Sequence, residues 1–431
     1  MSTIFKPLDW VKTTNVYEVN VRQYTTEGSF NAFAAALPRL KDMGVETLWF
    51  MPITPIATEK MKGTAGSPYA CSDYTSINPE FGTLEDFKSL VAVAQQMGFK
   101  IIIDWVANHT GWGHVWTKTN PDYFKWDNDT NDFKVASGME DIIELDYNNP
   151  ALRKAMIKAM QFWVKEVNID GFRCDLASWV QVDFWEEARP HLDAIKPLFW
   201  LGEFDQIDNP DYKPVFDCSY SWAWMHKTEE FYKNDLDLSV LADLLMKYDI
   251  SVKNSMNLWF SSNHDENSWN GTEYEKYGEM AKALAVFSFT WNGVPLIYTG
   301  QELPNMKRLK FFDKDEVEWN GRYRLHDFYK TLTALKKNNP ALRAGDEGVT
   351  TYRLQTGDTG SIMAFLRKHG EHEILALFNF GKTVQQFEIT AKILSGKYVN
   401  VFDKQTIEIN GSHLFEMQPW EYLVYEKINN E

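Results

Sequence analysis

Cysteine is scarce in this 431-residue chain, and its three copies, Cys71, Cys174 and Cys218, are too few and too widely spaced for a disulfide framework or a zinc spacing. Reduced core thiols are expected. Positive charge is also short: 44 Lys and Arg face 60 Asp and Glu, a formal net charge of -16. Neutralising phosphates needs a basic surface, so this balance argues against nucleic acid and for a neutral ligand. The longest apolar stretch, "ALAVFSFTWNGVPLIY" (283–298), is broken by Asn292-Gly293 and Pro295, turn chemistry unsuited to a membrane span. No transmembrane helix and no membrane partner are expected. The opening "MSTIFKPLDW" has no apolar signal core, which predicts a cytoplasmic protein, so Asn270-Gly271-Thr272 reads as a chance match to a glycosylation triplet. Neither a sequence repeat nor a low-complexity linker occurs.

Aromatic residues, by contrast, reach 15%, with 17 Trp, many of them in segments that read as loops. Ring faces in loops suit sugar stacking, although large aromatics also fill large cores. The chain is too long for a single hydrophobic core, which argues for a large domain plus a smaller one.

From residue 14 to about 340 one grammar recurs: a short β-rich run, a loop, then a helix-period stretch. "NVYEVNV" (15–21) is strand-like, and Phe30, Phe33, Leu37 and Leu40 follow at helical spacing before Gly44 supplies a stop. "ETLWFMPI" is the second strand. A capping-box start at Thr83 and Asp86 opens the next helix, and "FKIIIDW" is the third strand. Residues 106 to 148, rich in aromatics, Asn and Asp, break the rhythm before Asn149-Pro150 opens another helix. Strand runs resume at "IDGFRCD", "LFWLGE", "PVFDCSY", "NLWFSSN" and "VPLIYTG". Eight strands suggest a closed (β/α)8 barrel, an α/β fold, over 1–105 and 149–344, with an inserted subdomain at 106–148. From 345 to 431 short alternating runs predict an antiparallel β-sandwich domain.

In such a barrel, functional residues belong at the C-terminal ends of the strands. That rule selects Asp104, Asn108 and His109 from "DWVANH", Arg173 and Asp175 from "GFRCD", Glu203 from "LGEF", and His264 with Asp265 from "NHDEN". Taken singly, each has an ordinary explanation. Arg173 and Asp175 fall on one face of a strand and read as a structural ion pair; Glu203 reads as a helix-capping acid; either histidine reads as a satisfied core residue. The case for chemistry rests on all of them sharing one rim.

In family order, the segments "DWVANH", "GFRCD", "LGEF" and "FSSNHD", supported by "GSPYACSDYTSINPEFGT" (66–83) and "GVPLIYTGQE" (293–302), resemble those of the α-amylase superfamily of retaining α-glycoside hydrolases. The resemblance runs from Tyr17 into the C-terminal domain. It implies cleavage of α-1,4 bonds in maltooligosaccharides or starch-type glucans, with Asp175 as nucleophile, Glu203 as proton donor and Asp265 as the third, electrostatic acid. Arg173 beside Asp175 is expected to favour its ionised form, while the neighbouring acids push Glu203 up. Asp104, His109 and His264 match positions that hold sugar hydroxyls, and Tyr69 resembles the family's stacking platform. Trp112, Trp179 and Trp269 are candidates for neighbouring subsites, with packing the other reading of each.

Departures from the family pattern bear on metal. Asn108 matches a family calcium ligand, and Asp122, Asp127, Asp129 and Asp132 supply oxygens nearby in sequence, whereas Ser178 and Trp179 replace a Lys-His pair whose histidine carbonyl binds calcium. A structural calcium ion is therefore an open question here. Glu144 and Asp146 also stand where an aspartate and an asparagine are usual. Three other readings remain at this stage: a transglycosylase on the same scaffold, a carbohydrate-binding protein that has lost catalysis, and a metal-dependent barrel hydrolase.

Overall fold

The computed structural model describes residues 5–250, 256–357 and 360–428. The first four residues of the stretch read for a leader lie outside the described residues. Eight parallel strands form the closed barrel: β1 (Val16–Val19), β2 (Thr47–Phe50), β3 (Lys100–Trp105), β4 (Gly171–Cys174), β5 (Phe199–Asp205), β6 (Cys218–Tyr220), β7 (Met256–Trp259) and β8 (Val294–Tyr298). Each neighbours its successor, and β8 closes on β1 with Val16 opposite Leu296.

Local chemistry explains the elements. Phe30, Phe33, Leu37 and Leu40 are all fully buried, on two short helices, Phe30–Ala34 and Leu37–Asp42. The Thr83 side chain accepts from the Asp86 N–H and Asp86 reciprocates, the capping box that starts helix Leu84–Gln96. Asn149 accepts from Ala151 N–H and Pro150 occupies the first turn of helix Pro150–Glu166.

Side chains along a strand alternate, so each barrel strand sends every second residue toward the axis. Val16, Trp49, Ile102, Phe199, Leu201, Cys218, Tyr220, Met256, Leu258, Val294 and Leu296 form one enclosed cluster, the barrel interior. The outward residues, among them Ile101, Ile103, Phe172 and Cys174, pack with the helices. The same alternation carries Glu18, Asp104, Arg173 and Glu203 inward at the C-terminal ends of their strands. An apolar plug thus ends in a charged top layer.

Between β3 and helix Pro150–Glu166 the chain makes an excursion with a three-stranded sheet, in which His109–Gly111 and Val135–Ala136 flank Met139–Glu144. Beyond the barrel, β9 (Thr350–Arg353), β10 (Ile362–His369), β11 (His372–Asn379), β12 (Gln385–Asn400), β13 (Thr406–Met417) and β14 (Tyr422–Lys427) form one antiparallel sheet in the order β9-β10-β11-β14-β12-β13. A register break between Thr390 and Ser395 divides the long β12–β13 hairpin. Phe387, Ile389, Phe415 and Met417 of its outer half share a core with Ile362, Leu366, Leu375 and Leu377, while Phe365, Ala376 and Phe378 on the opposite face pack toward the barrel.

Candidate active site

Arg173 organises the charged layer. It sits beside Asp104 in the β3–β4 register, and its Nη1 lies 2.8 Å from both Asp104 Oδ1 and Asp175 Oδ1. Nη2 lies 2.8 Å from Glu203 Oε2, and Nε donates to Tyr220 Oη at 3.1 Å. One buried guanidinium therefore holds three carboxylates. Glu203 is also tied to the peptide after Asp175: Leu176 N–H donates to its Oε2 at 2.8 Å. Leu176 adopts the left-handed backbone conformation at φ 41°, a costly geometry for a branched residue.

Asp175 is asymmetric. Arg173 engages Oδ1, while Oδ2 is buried without a hydrogen-bond partner among the described residues, and the side chain lines a cavity of about 440 Å³. Burial pushes the Asp175 carboxyl well above its usual range; Arg173 opposes this, and Glu203 and Asp104 add to it. Arg173 thus favours the ionised form, as expected, but burial outweighs it. The guanidinium charge is divided among three acids, and desolvation wins.

A relay runs outward from Asp104. The Tyr69 hydroxyl donates to Asp104 Oδ2 at 3.0 Å and lies 2.7 Å from His264 Nε2, and His264 Nδ1 lies 2.5 Å from Glu18 Oε1. Burial alone would lower His264, but the Asp265 and Glu18 carboxylates outweigh it and take it up to about 9. His264 is an imidazolium at neutral pH. His109 is the opposite case: burial takes it down to about 4, against the pull of Asp141 and Glu144, so it is neutral. Its Nε2 is buried, without a partner among the described residues, and it lines the same cavity.

Asp265 also lines the cavity, 3.3 Å from His264 Nε2, with its side chain 35% exposed. Tyr69, His109, Asp175, Glu203, His264 and Asp265 thus meet at one cavity, with Arg173 and Asp104 beneath. Of the three tryptophans, Trp179 and Trp269 line its mouth. Trp112 does not: its indole is buried, donates to Glu140 O at 2.9 Å and lies under the Lys60 ammonium.

Sequence reasoning missed Glu18, Lys62, Asp141 and the Phe311-Phe312 pair. A signal existed for Glu18, since in "VYEV" it shares inward parity with Val16 at a strand's C-terminal end. Lys62, Asp141 and the phenylalanines sit on long loops, where no period points inward.

A calcium ion takes six to eight oxygens, and Asp122, Asp127 and Asp132 are engaged with other groups. Asn108 Nδ2 is 3.3 Å from His109 Nδ1, and the Tyr212 hydroxyl donates to the carbonyls of Ser178 and Val180, on either side of Trp179, the residue at the place of the family's ligand carbonyl. Asp122 accepts from Asn149 at the start of the next helix, and Asp127 from Asp129 N–H and Asp132 from Phe133 N–H in local turns. Among the described residues no group of three or more His, Cys, Asp or Glu is placed to hold a metal.

Comparison with known proteins places this architecture. The α-amylase catalytic domain matches residues 13–124 and 118–320, and the α-amylase C-terminal all-β domain matches 355–425. α-Amylase 3 of Dictyoglomus thermophilum is 26% identical over 92% of this chain and 94% of its own length. α-Amylase MalA of Haloarcula japonica is 25% identical over 90% of this chain, which spans only 59% of that protein. The intracellular maltogenic amylase of Bacillus subtilis is 24% identical over 92% of this chain and 69% of its own length. Among solved structures, a noncanonic maltogenic α-amylase from Thermotoga neapolitana superposes with a TM-score of 0.88 at 28% identity, covering 97% of this chain and 100% of that one. An α-amylase from Lactobacillus plantarum gives 0.85 at 28%, covering 98% and 100%. Catalytic barrel and all-β domain together, the chain belongs to the α-amylase family.

Proposed function

We propose that the protein is a retaining glycoside hydrolase that cleaves α-1,4-glucosidic bonds of maltooligosaccharides or starch-type glucans through a covalent glycosyl-enzyme. One observation carries the reading: Asp175 offers an uncommitted Oδ2 to the cavity while Arg173 anchors its Oδ1 and pairs with Glu203. The shared guanidinium and the Leu176 N–H tether favour the close carboxyl pair used for retention, about 5–5.5 Å, over the wider inverting pair.

Asp175 Oδ2 attacks the anomeric carbon, the bond to the leaving oxygen breaks, and Glu203 gives that oxygen its proton. Glu203 then deprotonates a water that displaces Asp175, and the configuration is retained. The two carboxyls share the Arg173 guanidinium. A bound glucoside directs the proton: positive charge growing at the sugar ring favours an ionised Asp175, and the departing oxygen draws the proton to Glu203. Asp265 faces that growing charge, and the neutral His109 Nε2 is free to hold a sugar hydroxyl.

Chromatography of products from a maltooligosaccharide ladder tests this. Wild type should shorten the ladder and Asp175→Asn should not; a wild type inert on every α-glucoside would end the proposal. A transglycosylase reading has support of its own, because Trp179, in the loop that follows the nucleophile, is 46% exposed at the cavity mouth, where an acceptor sugar would stack. Longer oligosaccharides appearing early from concentrated maltotriose would favour it. We also place the protein in the cytoplasm, supported by three free, buried cysteines and by its intracellular relative.

A further inference from the structure

We infer that the enzyme takes glucans only from the non-reducing end, because loop 56–67 walls off the glycone side of the cavity with Lys62 as its keystone. The inference rests on the hydrolase reading above.

The side is set by Glu203. It protonates the oxygen that leaves, so the leaving part of the chain lies over β5. The glycone, and every unit attached through its 4-hydroxyl, points across the barrel toward β1, which stands opposite β5 in a closed ring of eight. The rim there is built from the loops after β2, β3 and β8. Those three loops are stitched into one surface.

Toward the excursion, Glu59 bridges to Trp112, the Trp112 indole donates to Glu140 O, and Lys62 Nζ pairs with Asp141 Oδ1 at 2.7 Å. Gly111 lets the layers touch, since a Cβ there would come within 2.4 Å of Ala57 Cβ and 2.7 Å of Ala70 O. Toward the β8 loop, Ala65 N–H donates to Phe312 O at 2.9 Å, and Thr64 N–H and hydroxyl both donate to Asp313 Oδ1. Arg22 holds the loop from beneath through the carbonyls of Ala65 and Gly66, both at 2.9 Å.

Lys62 joins the two halves. Its ammonium pairs with Asp141 on one side and lies 5.8 Å from the Phe312 ring centroid on the other, and all three residues line the cavity. An internal stretch of glucan needs an exit on this side, and a wall held at this many points does not open by a rotamer change. A chain end needs none, and its terminal hydroxyls meet the ammonium and carboxylate as ready hydrogen-bond partners.

The test compares p-nitrophenyl α-maltoheptaoside with the same compound carrying a 4,6-O-ethylidene block on its non-reducing glucose, following products by chromatography. Wild type should cleave the blocked compound at no more than about 1% of the rate on the free one, and Lys62→Ala or Phe312→Ala should raise the blocked-to-free ratio at least about tenfold. Wild-type cleavage of both compounds within about threefold overturns the inference while leaving hydrolysis intact. An unchanged ratio in both active variants overturns the assignment to this wall. Cleavage of neither by wild type sinks the hydrolase reading, and this one with it.

Discussion

Two buried arginines in one barrel look alike by every coarse measure. Arg173 closes the top of β4 and Arg189 the underside, where Asp217 leads into β6. Each is almost fully buried and each faces carboxylates. Burial also raises the partner acid in both places, Asp217 going up to about 6 against the pull of Arg189. They differ in what is left over. Arg189 donates to Asp193, to Val215 O and to Asp217 Oδ1, and Asp217 Oδ2 accepts from Trp200 N–H, so that cluster is closed. Around Arg173, Asp175 Oδ2 and His109 Nε2 remain buried and unmatched. Unmatched buried atoms cost stability, and a protein that keeps them at a cavity keeps them for a ligand. A raised acid alone does not separate machinery from scaffold.

The sharpest way to break the comparison is to substitute one acid from each cluster. Asp175→Asn should lower kcat by at least about 10⁴-fold, since it removes the nucleophile itself. Glu203→Gln should cost about 10²–10⁴-fold on maltooligosaccharides and recover on α-maltosyl fluoride, whose leaving group needs no proton, while Asp175→Asn should not recover. Neither change should lower the urea midpoint. Asp217→Asn should reverse the pattern: a loss of about 3–5 kcal/mol in urea unfolding, because Arg189 loses its buried carboxylate and keeps only the partly exposed Asp193, and normal kcat per folded molecule. A stability loss at Asp175 equal to that at Asp217 would make the two clusters one kind of thing.

Of the two clusters, only the one around Arg173 was legible in the sequence. Strand grammar located all eight barrel strands, and the rule that function sits at their C-terminal ends picked Asp104, Arg173, Asp175, Glu203 and His264 before any contact was known. Alternation made this work: inside a strand, parity decides which side chains face the axis. It would have found Glu18 too. Loops carry no parity, so Lys62, Asp141 and Phe312 could be found only from coordinates, and Trp112 could not be told from Trp179. Composition hid the Arg173 charge balance as well. How one guanidinium is divided among three acids depends on distances of 2.8 Å, which spacing along the chain does not encode.

His264 sharpens the contrast from the electrostatic side. Folded, it holds its proton up to about 9; unfolded, it releases it near 6.5. A group that binds its proton more tightly when folded stabilises fully below the unfolded value and loses that contribution as pH rises through the folded one. Stability should therefore fall between about pH 6.5 and 9, by up to about 3 kcal/mol, and activity should fall near the upper end as Glu18, Asp265 and Tyr69 lose their charged partner. Urea midpoints across that range check the first part. In His264→Asn the slope should flatten; an equally steep fall in the variant would assign it to another group.

The smallest effect separates two tryptophans. Trp179 is 46% exposed at the cavity mouth, and Trp112 is 5% exposed inside the wall. Trp179→Ala removes a stacking face worth about 1 kcal/mol, so KM should rise about fivefold on longer oligosaccharides, with kcat on maltotriose little changed and stability within about 0.5 kcal/mol. Trp112→Ala empties a packed site and strands the Glu140 carbonyl, so it should cost about 3–5 kcal/mol in unfolding. The test is a Michaelis profile and a urea curve for each variant. If Trp179→Ala left KM unchanged at every chain length, its exposure would be that of an ordinary surface ring, and the sugar-facing mouth would reduce to Trp269 and the phenylalanines.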